Sequence, residues 1–299
     1  MKKSHVENTV GPWARQKLNG LEAYLNAYTT ALKKQRFELV FIDAFAGAGR
    51  SKIRDAWDGA DEEDVLLLDD DFIAAEEQFI EGSPRRALGL QQPFDRHFFF
   101  DADAGRAQLL SDLKTEYPER QIDVRVGDAN RLIQDLAPSL DRRMIRGVAF
   151  LDPYGPHLEW QTIEALGRTG KFEVIINFPL GMAINRLITR NGDIPDRWRQ
   201  GLNTCFGSTE WEQLVYREQA DLFGETTKEK VDDAAKRLLD YYVGRLKTVF
   251  GHVATPSTVR NTRGVPIYFM LWAGPHGLGH KIAEYILSKG DKVAAPRKR

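Results

Sequence analysis

The chain has 299 residues, of which 42% are hydrophobic and 28% charged, and its formal net charge is −1. These values exclude wholesale disorder, and they exclude a nucleic-acid binder that relies on bulk positive charge. The lone cysteine, Cys205, cannot form an internal disulfide, no Cys/His cluster has zinc-ligand spacing, and no apolar run is long enough to span a bilayer. We therefore expect a cytoplasmic protein without a metal site or membrane span, in which Cys205 is buried.

The N-terminal part predicts a helix followed by a buried strand. Apolar residues recur at spacings of three and four between residues 13 and 35, which indicates one apolar helix face that ends near Lys33 and Lys34. The run from Phe37 to Asp43 is short and β-rich and leads into a glycine-bearing loop. It is typical of a parallel strand buried on both faces.

An acidic stretch interrupts this pattern. Residues 54–71 are rich in Asp and Glu and flank Leu66-Leu67-Leu68, so we interpret the region near 50–80 as a surface insertion with a small strand. A metal-binding loop is the alternative, but the EF-hand spacing with its glycine is missing. Gly82-Ser83-Pro84 then predicts a helix from Pro84 to Leu90, because proline is favoured at the first helical position.

Strand-like and helix-like segments alternate in the next hundred residues. The predicted strands are Arg96 to Phe100, Asp123 to Val126, Gly147 to Leu151 and Glu173 to Asn177. Stretches of helical length, including Ala104 to Tyr117 and Trp160 to Arg168, lie between them. This alternation predicts an α/β fold with a mostly parallel sheet, whose ligands bind at the carboxyl ends of the strands.

The last third of the chain differs from this pattern. Residues 185–250 show no strand signal and repeat apolar side chains at helical spacing, which predicts a helical insertion. Runs at Val253 to Pro256 and Ile267 to Trp272 predict an antiparallel pair at one sheet edge. The predicted division is therefore a helical extension at 1–36, a core at 37–184, the helical insertion at 185–250, and C-terminal strands and a helix at 251–299.

The loop after the first strand carries two closely spaced glycines. Lys52 occupies the position of the third glycine of a dinucleotide-binding loop, and no P-loop sequence is present, which disfavours a dehydrogenase or a nucleotide hydrolase. Such a loop lets backbone approach a flat, non-phosphorylated ligand. It suits S-adenosylmethionine (SAM), whose positive charges Asp43 could balance. The predicted contacts in this loop are Asp43, Ala44, Phe45, Ala46, Gly47 and Gly49.

Acidic residues also follow the next strands. Asp101 and Asp103 come after the second predicted strand, where a carboxylate can accept hydrogen bonds from both ribose hydroxyls. Asp128, followed by Ala129, comes after the third and could accept from an adenine amino group. Any one of these acids could instead cap the next helix. Their recurrence on consecutive strands favours a Rossmann-like class I SAM-methyltransferase fold with a nucleoside-sized cleft.

The segment after the fourth strand, Asp152-Pro153-Tyr154-Gly155, is the most specific chemical signal. It resembles the Asp/Asn-Pro-Pro-Tyr motifs of methyltransferases that modify amino groups of bases, and its variant form looks like that of guanine-N2 tRNA methyltransferases. Asp152 and the Pro153 carbonyl could hold the amine while Tyr154 stacks on the base. His157 could accept a proton. A simple turn is the alternative.

Two other patterns have mainly structural interpretations. Asn177-Phe178-Pro179-Leu180 is similar to an Asn-Pro-Pro-Phe loop, but it follows the fifth strand, one strand later than such a loop would. His276 and His280 share a spacing of four, yet Gly277 and Gly279 disfavour a helix and no third ligand is evident, so zinc is disfavoured. We expect both histidines to be exposed.

Taken together, several segments resemble the three-Cys-motif partner protein family (TcmP). They are Ile42 to Arg50, Glu81-Gly82-Ser83-Pro84, Gly127-Asp128-Ala129-Asn130, Leu151-Asp152-Pro153-Tyr154-Gly155 and Asn185-Arg186-Leu187. The similarity extends from about Trp13 through the C-terminal strands. It implies a SAM-methyltransferase-like fold and, commonly, a protein partner with a three-cysteine motif, but it implies no substrate. Ala44 and Ala48 depart from the family, whose loop often has glycine or proline there.

Two functions follow as hypotheses. The first is methyl transfer from SAM to an amino nitrogen, more specifically of a nucleic-acid base. The second is a non-catalytic subunit with the same fold, which holds a three-Cys-motif partner through the helices of 185–250.

Overall fold

The computed structural model describes residues 8–10, 13–53, 78–220, 226–261 and 264–290. The strands are β1 (Asn8–Val10), β2 (Glu38–Asp43), β3 (Arg50–Ile53), β4 (Gln78–Glu81), β5 (Arg96–Asp101), β6 (Gln121–Val126), β7 (Ile145–Leu151), β8 (Phe172–Phe178), β9 (Tyr216–Ala220), β10 (Thr226–Lys230), β11 (His252–Val253), β12 (Ser257–Arg260) and β13 (Pro266–Gly274). The helices are α1 (Trp13–Leu32), α2 (Ser83–Leu88), α3 (Ala104–Glu116), α4 (Ala129–Leu136), α5 (Trp160–Thr169), α6 (Asn185–Leu187), α7 (Asp196–Phe206), α8 (Trp211–Val215), α9 (Ala234–Phe250) and α10 (Gly277–Gly290). A 3₁₀ turn at Ala137–Leu140 and a π-helical turn at Leu180–Ile184 complete the described elements.

An eight-stranded sheet forms the centre of the described structure, in the order β11-β13-β8-β7-β2-β5-β6, with β12 also paired to β13. The strands β6, β5, β2, β7 and β8 are parallel, whereas β13 is antiparallel to β8 and to its other neighbours. The first core strand, β2, thus lies centrally, as in doubly wound nucleotide-binding folds. The predicted α/β class, with a mostly parallel sheet and an antiparallel edge, is confirmed.

Helices cover both faces of this sheet. Along β2, Val40 and Ile42 join an apolar cluster with α4, α5 and α9, whereas Leu39 and Phe41 join another with α1, α3 and α10. This alternation follows from the two-residue period of a strand, and burial on both faces explains why the strand is almost continuously apolar. Burial of a side chain the size of Phe41 stabilises the fold by roughly 1.5–3 kcal/mol.

Apart from the small strand of the acidic stretch, the elements predicted up to residue 178 are present, including the N-terminal helix and the short helix after Pro84. The acidic stretch at 54–71, with its predicted small strand and metal-loop alternative, lies outside the described residues. At its two ends β3 and β4 pair antiparallel, with Arg50 opposite Glu81. The predicted antiparallel pairing at the C-terminal edge is confirmed between β11 and β13, but only Val253 of the first predicted run is in a strand, and β12 adds a pairing that was not predicted.

The region 185–250 is helical in α6 to α9, but it also contains an antiparallel hairpin formed by β9 and β10. The expectation that this region lacks strands is therefore wrong. The two strands have the sequences YREQA and TTKEK, and Arg217 pairs with Glu229 across them. Because such an exposed ribbon needs no alternating apolar side chains, it leaves no periodic signal in the sequence.

The expectation that Gly277 and Gly279 prevent a helix is also wrong, because α10 begins at Gly277. A Cβ atom on Gly279 would lie 2.2 Å from Oε1 of Glu173, so this glycine allows close packing of helix and sheet. His276 is exposed as expected, whereas His280 is only partly so. No helix in the described ranges combines the length and apolar character that crossing a membrane requires.

Candidate functional site

The parallel strands bring several polar residues to one edge of the sheet. Asp43 ends β2, where its register partners are Phe99 of β5 and Phe150 of β7. Asp101 ends β5, and Asp152 directly follows β7. Because the carboxyl ends of parallel strands share one edge, these three acids lie at neighbouring positions along it.

The backbone of the glycine loop continues the pairing of the strands on either side of β2. The Ala44 N–H donates to the Phe150 carbonyl (3.1 Å), and the Ala46 N–H donates to the Phe100 carbonyl (3.0 Å). Phe45, between them, is half-buried. The start of the loop is therefore held between β7 and β5 and does not depend on its own side chains for its position.

The glycines make the bend that follows. Gly47 and Gly49 have φ angles of 62° and 72°, a left-handed conformation in which other residues are strained. The N–H of Gly82 donates to the Gly49 carbonyl (3.0 Å), and a Cβ on Gly82 would lie 3.0 Å from that carbonyl group. The segment that enters α2 thus packs directly on the bend and fixes it.

Asp43 has an unusual environment. The residue is fully buried, and neither carboxylate oxygen has a hydrogen-bond partner of good geometry among the described residues, although the Ser83 side chain and the Phe45 backbone lie close enough to favour the charged form. Burial, with a smaller contribution from the charge of Asp152, raises the pKa of Asp43 to about 7, while Ser83 and Lys17 act in the opposite direction. A buried carboxyl without a partner is costly, so this position is suited to a ligand that offers a cationic or hydrogen-bond donor group.

Asp101 is buried and only partly engaged. Its Oδ1 accepts hydrogen bonds from the Asp103 N–H (2.8 Å) and from Nε of Arg106 (3.0 Å). Its Oδ2 has no hydrogen-bond partner within the described ranges. One carboxylate oxygen therefore anchors the loop after β5, and the other is available to a ligand.

Asp103 and Asp128 are helix caps. Asp103 accepts from the Arg106 N–H (2.8 Å) at the start of α3, and Asp128 accepts from the Arg131 N–H (3.0 Å) at the start of α4. Both therefore fill the role that the sequence analysis kept as the alternative to cofactor binding. Asp128 remains exposed beside buried Ala129, so its outer face can still meet a ligand.

The loop after β7 is fixed by a residue that the sequence analysis did not select. The side chain of Asn130, at the start of α4, donates to the His157 carbonyl (2.8 Å) and accepts from the Glu159 N–H (2.9 Å). The ring of His157 is exposed, while its backbone is held. Asn130 stands in the quoted segment Gly127 to Asn130, but its partners lie 27 and 29 residues away, beyond the reach of local patterns.

Asp152 is bound through both of its oxygens. Oδ2 forms an ion pair with Nζ of Lys17, which projects from α1, and Oδ1 accepts a hydrogen bond from Nδ2 of Asn177 (2.6 Å). No local sequence pattern indicates Lys17, and Asn177 belongs to the segment that the sequence predicts to be structural. Lys17 is 135 positions from Asp152, so only the packing of α1 onto the sheet brings the two together.

Tyr154 projects from the same loop. It is 60% exposed, while Pro153 before it is buried. Its hydroxyl lies within electrostatic reach of Asp152, Arg106 and Asp101. The site therefore presents an exposed aromatic ring beside a group of charged residues, and such a ring can stack on a flat ligand.

Other candidate chemistries find little support here. In the described residues, no group of three or more His, Cys, Asp or Glu side chains is arranged to hold a metal ion. His280 pairs with Glu284 (3.4 Å) and lies 5.8 Å from the ring of His252. Cys205 is buried as predicted, and burial raises the pKa of its thiol to about 12, which makes it a poor nucleophile.

No protein-family model matches this chain, and no curated protein matches it in sequence. Among solved structures it is similar to WbdD, described as a bifunctional kinase-methyltransferase, with 12% identity, a TM-score of 0.41 and coverage of 87% of this chain and 40% of that one. Protein LPL1258 from Legionella pneumophila has 13% identity and a TM-score of 0.38, covering 85% and 96% of the two chains. Precorrin-6y C5,15-methyltransferase from Geobacter metallireducens has 12% identity and a TM-score of 0.31, covering 83% and 86%.

The chain thus spans 40% of the length of WbdD but nearly all of the Legionella protein. At these identities the similarity concerns the fold alone.

Proposed function

We propose that this protein is a SAM-dependent methyltransferase that acts on an amino nitrogen, specifically of a nucleic-acid base. The observation that carries the proposal is the buried, unpartnered carboxyl of Asp43 beside the Gly47 and Gly49 bend, with Asp101 at the end of the next strand. A ligand with a cationic part and a ribose would satisfy both acids.

The residues of this edge fit SAM in three parts. Asp43 and the loop Ala44 to Gly49 would hold the positively charged methionine portion, since a buried carboxylate there needs a cationic or donor partner. The second oxygen of Asp101 would accept from the ribose hydroxyls, while Asp103 supports it as a helix cap. Asp128 and Ala129 would meet the adenine. When bound, SAM supplies a methyl group on a positively charged sulfur, which makes it reactive toward an amine.

The substrate would lie against the loop after β7. Asp152 and the Pro153 carbonyl would accept hydrogen bonds from the target amine and orient its lone pair, and Tyr154 would stack on the base through its exposed ring. His157 lies exposed on the same loop, where Asn130 holds the backbone, and would accept the proton that the amine releases. In this proposal, Lys17 and Asn177 hold the Asp152 carboxylate in position.

Isothermal titration with SAM tests the cofactor part. We expect Asp101→Asn and Asp43→Asn each to weaken binding by about tenfold or more, which corresponds to about 1.4 kcal/mol. Asp135→Asn, an exposed acid on α4, is the matched control and should bind like the wild type. Circular dichroism verifies that the variants are folded. Wild-type affinity in both Asp101→Asn and Asp43→Asn would contradict the proposal.

One observation favours the second function, a non-catalytic subunit that binds a three-Cys-motif partner. Both oxygens of Asp152 are already engaged by Lys17 and Asn177, so a substrate amine must compete with groups of the protein itself. The resemblance to the TcmP family supports the same alternative, with the helices of 185–250 as the surface for the partner.

Transfer of radiolabelled methyl groups from SAM separates the two functions. The assay uses RNA, DNA and protein as acceptors, each with and without an added protein that carries a three-Cys motif. Labelled nucleic acid supports the enzyme, and loss of the label in Asp152→Asn would assign the transfer to this site. SAM binding without incorporation into any acceptor supports the subunit.

A further inference from the structure

A concave region lies at the edge of the sheet opposite Asp43, Asp101 and Asp152, where β2, β7 and β8 begin. It is a cavity of about 460 Å³, bounded by the end of α1, the first residues of these strands and the first turn of α10. Glu173 on its wall and Asn177 at the proposed active site are four residues apart on β8, about 13 Å along the strand. The cavity is therefore separate from the proposed SAM site, and the inference drawn from it does not depend on that proposal.

The walls of the cavity are mostly apolar and aromatic. Tyr28 and Leu32 of α1, Phe37 before β2 and Ile282 of α10 all line it. Tyr28 is buried and stacks on Phe94, with ring centroids 5.9 Å apart and planes within 17°. This wall is thus held by the core, and a volume of this size lies in the range of ordinary small-molecule sites.

Positive charge gathers on one side of the cavity. The Arg146 guanidinium carbon lies 4.3 Å from the centre of the Phe37 ring, and Nη1 donates to the Ile145 carbonyl (2.7 Å). Lys171 and His276 also line the cavity. The pKa of His276 is lowered by partial burial and then chiefly by the charge of Arg146, to which Lys171 adds. Arg146 and Lys171 therefore supply the positive charge on this side, whereas His276, with its lowered pKa, is mainly neutral at pH 7. The first residues of α10, Gly277 to Gly279, line the same space.

The acid on the wall does not neutralise these cations. Glu173 is the only acidic residue that lines the cavity within the described ranges, and it is 4% exposed. Its Oε2 accepts a hydrogen bond from the Tyr24 hydroxyl, which in turn accepts one from Nε1 of Trp272 (2.7 Å). Burial raises the pKa of Glu173 to about 7, so it carries only part of a negative charge at neutral pH.

We propose that this cavity binds a small aromatic anion, whose flat apolar body lies against the wall of Leu32, Ile282 and the open edge of Phe37, and whose acidic group pairs with Arg146 and Lys171. A nucleotide fits less well, because its sugar would face apolar walls. Arg146 is preorganised for such a ligand, since it is already fixed over the Phe37 ring by its bond to a backbone carbonyl.

Titration calorimetry with naphthoate, naphthyl phosphate and the neutral naphthamide tests this proposal. We expect saturable binding of at least one anion. The neutral naphthamide should bind about tenfold or more weakly than that anion, because it cannot make the charge-assisted contacts. Tighter binding of the phosphate identifies a phosphate ester as the natural ligand type, and tighter binding of the carboxylate identifies an aromatic acid. No saturable binding of either anion, or equal binding of the amide, overturns the proposal.

Variants locate the binding at the cavity. Arg146→Gln and Lys171→Gln should each weaken binding of the anion by about fivefold or more. Arg143 is exposed and lies outside the cavity lining, so Arg143→Gln should leave the affinity unchanged. Arg146 also donates a hydrogen bond to the Ile145 carbonyl, so Arg146→Gln could disturb the local fold. Lys171→Gln removes a cation without removing that bond, and it therefore keeps the test decisive. Unchanged affinity in Lys171→Gln and in a folded Arg146→Gln overturns the proposed site.

Discussion

The two edges of the central sheet differ in how their polar groups are held. At the carboxyl edge Asp43, Asp101 and Asp152 come from the ends of separate strands, and the first of them has no partner among the described residues. At the amino edge Glu173 is fixed by the Tyr24 hydroxyl inside an apolar cavity whose rim is cationic. One edge thus offers acids to a cationic ligand, and the other offers cations to an anionic one.

The largest effect is expected at Asp152. If the proposed function is right, Asp152→Asn should lower kcat for methyl transfer by about 100-fold or more, because the asparagine holds the amine without its charge. The KM for SAM should stay within about threefold, since the change lies on the substrate side. Steady-state kinetics with Asp141→Asn, an exposed acid, as the control measures both quantities. An unchanged kcat would remove Asp152 from the mechanism.

A pH titration of stability compares the two edges directly. The pKa of Glu173 is raised from 4.5 to about 7, so the native state keeps a proton that the unfolded state releases. The stabilisation that the native state gains from Glu173 is therefore complete below about pH 4.5, and it is lost as the pH rises through 7. Asp43, also raised to about 7, should behave in the same direction.

Between pH 4.5 and 8, we expect the free energy of unfolding of Glu173→Gln to fall by on the order of 3 kcal/mol less than that of the wild type. Asp43→Asn should differ from the wild type by a similar amount. Urea unfolding at a series of pH values gives the free energy of unfolding for each variant. Glu119→Gln, on the surface, serves as the control. A Glu173→Gln protein whose stability still falls as steeply as that of the wild type would refute the raised pKa.

The smallest effects concern the glycines. Gly279→Ala should destabilise the protein by about 2 kcal/mol, because its Cβ would overlap Glu173 at 2.2 Å. Gly244→Ala in α9 is the matched control, since nothing lies within 4 Å of its Cβ, and it should stabilise the protein by about 1 kcal/mol. Thermal unfolding of both variants measures the contrast. Equal stability in the two would show that Gly279 is not tightly packed.

The comparison also explains what could be predicted from the sequence. The strand order and the acids of the carboxyl edge follow from local patterns, because each acid directly follows an apolar run. The roles of Asp103 and Asp128 as caps were foreseen only as alternatives, since a strand-terminal acid has the same local sequence in either role.

The rest depends on contacts between distant segments. Lys17 reaches Asp152 only through the packing of α1, and Asn130 reaches His157 across the loop after β7. The cavity around Glu173 combines α1, the residue before β2, the starts of β7 and β8, and α10, which no local periodicity connects. Gly279 resembles a helix breaker in sequence, and only the nearby carboxyl of Glu173 explains it.

The contact between Gly49 and Gly82 has a consequence for the architecture of the chain. Since the carbonyl of one and the N–H of the other are 3.0 Å apart, the residue before β3 and the residue after β4 meet at a single point. The length of the intervening segment can therefore change at little entropic cost, without moving either anchor or the register of β2. This junction makes the first crossover a modular site, where a reporter or a foreign loop can be grafted beside the glycine bend.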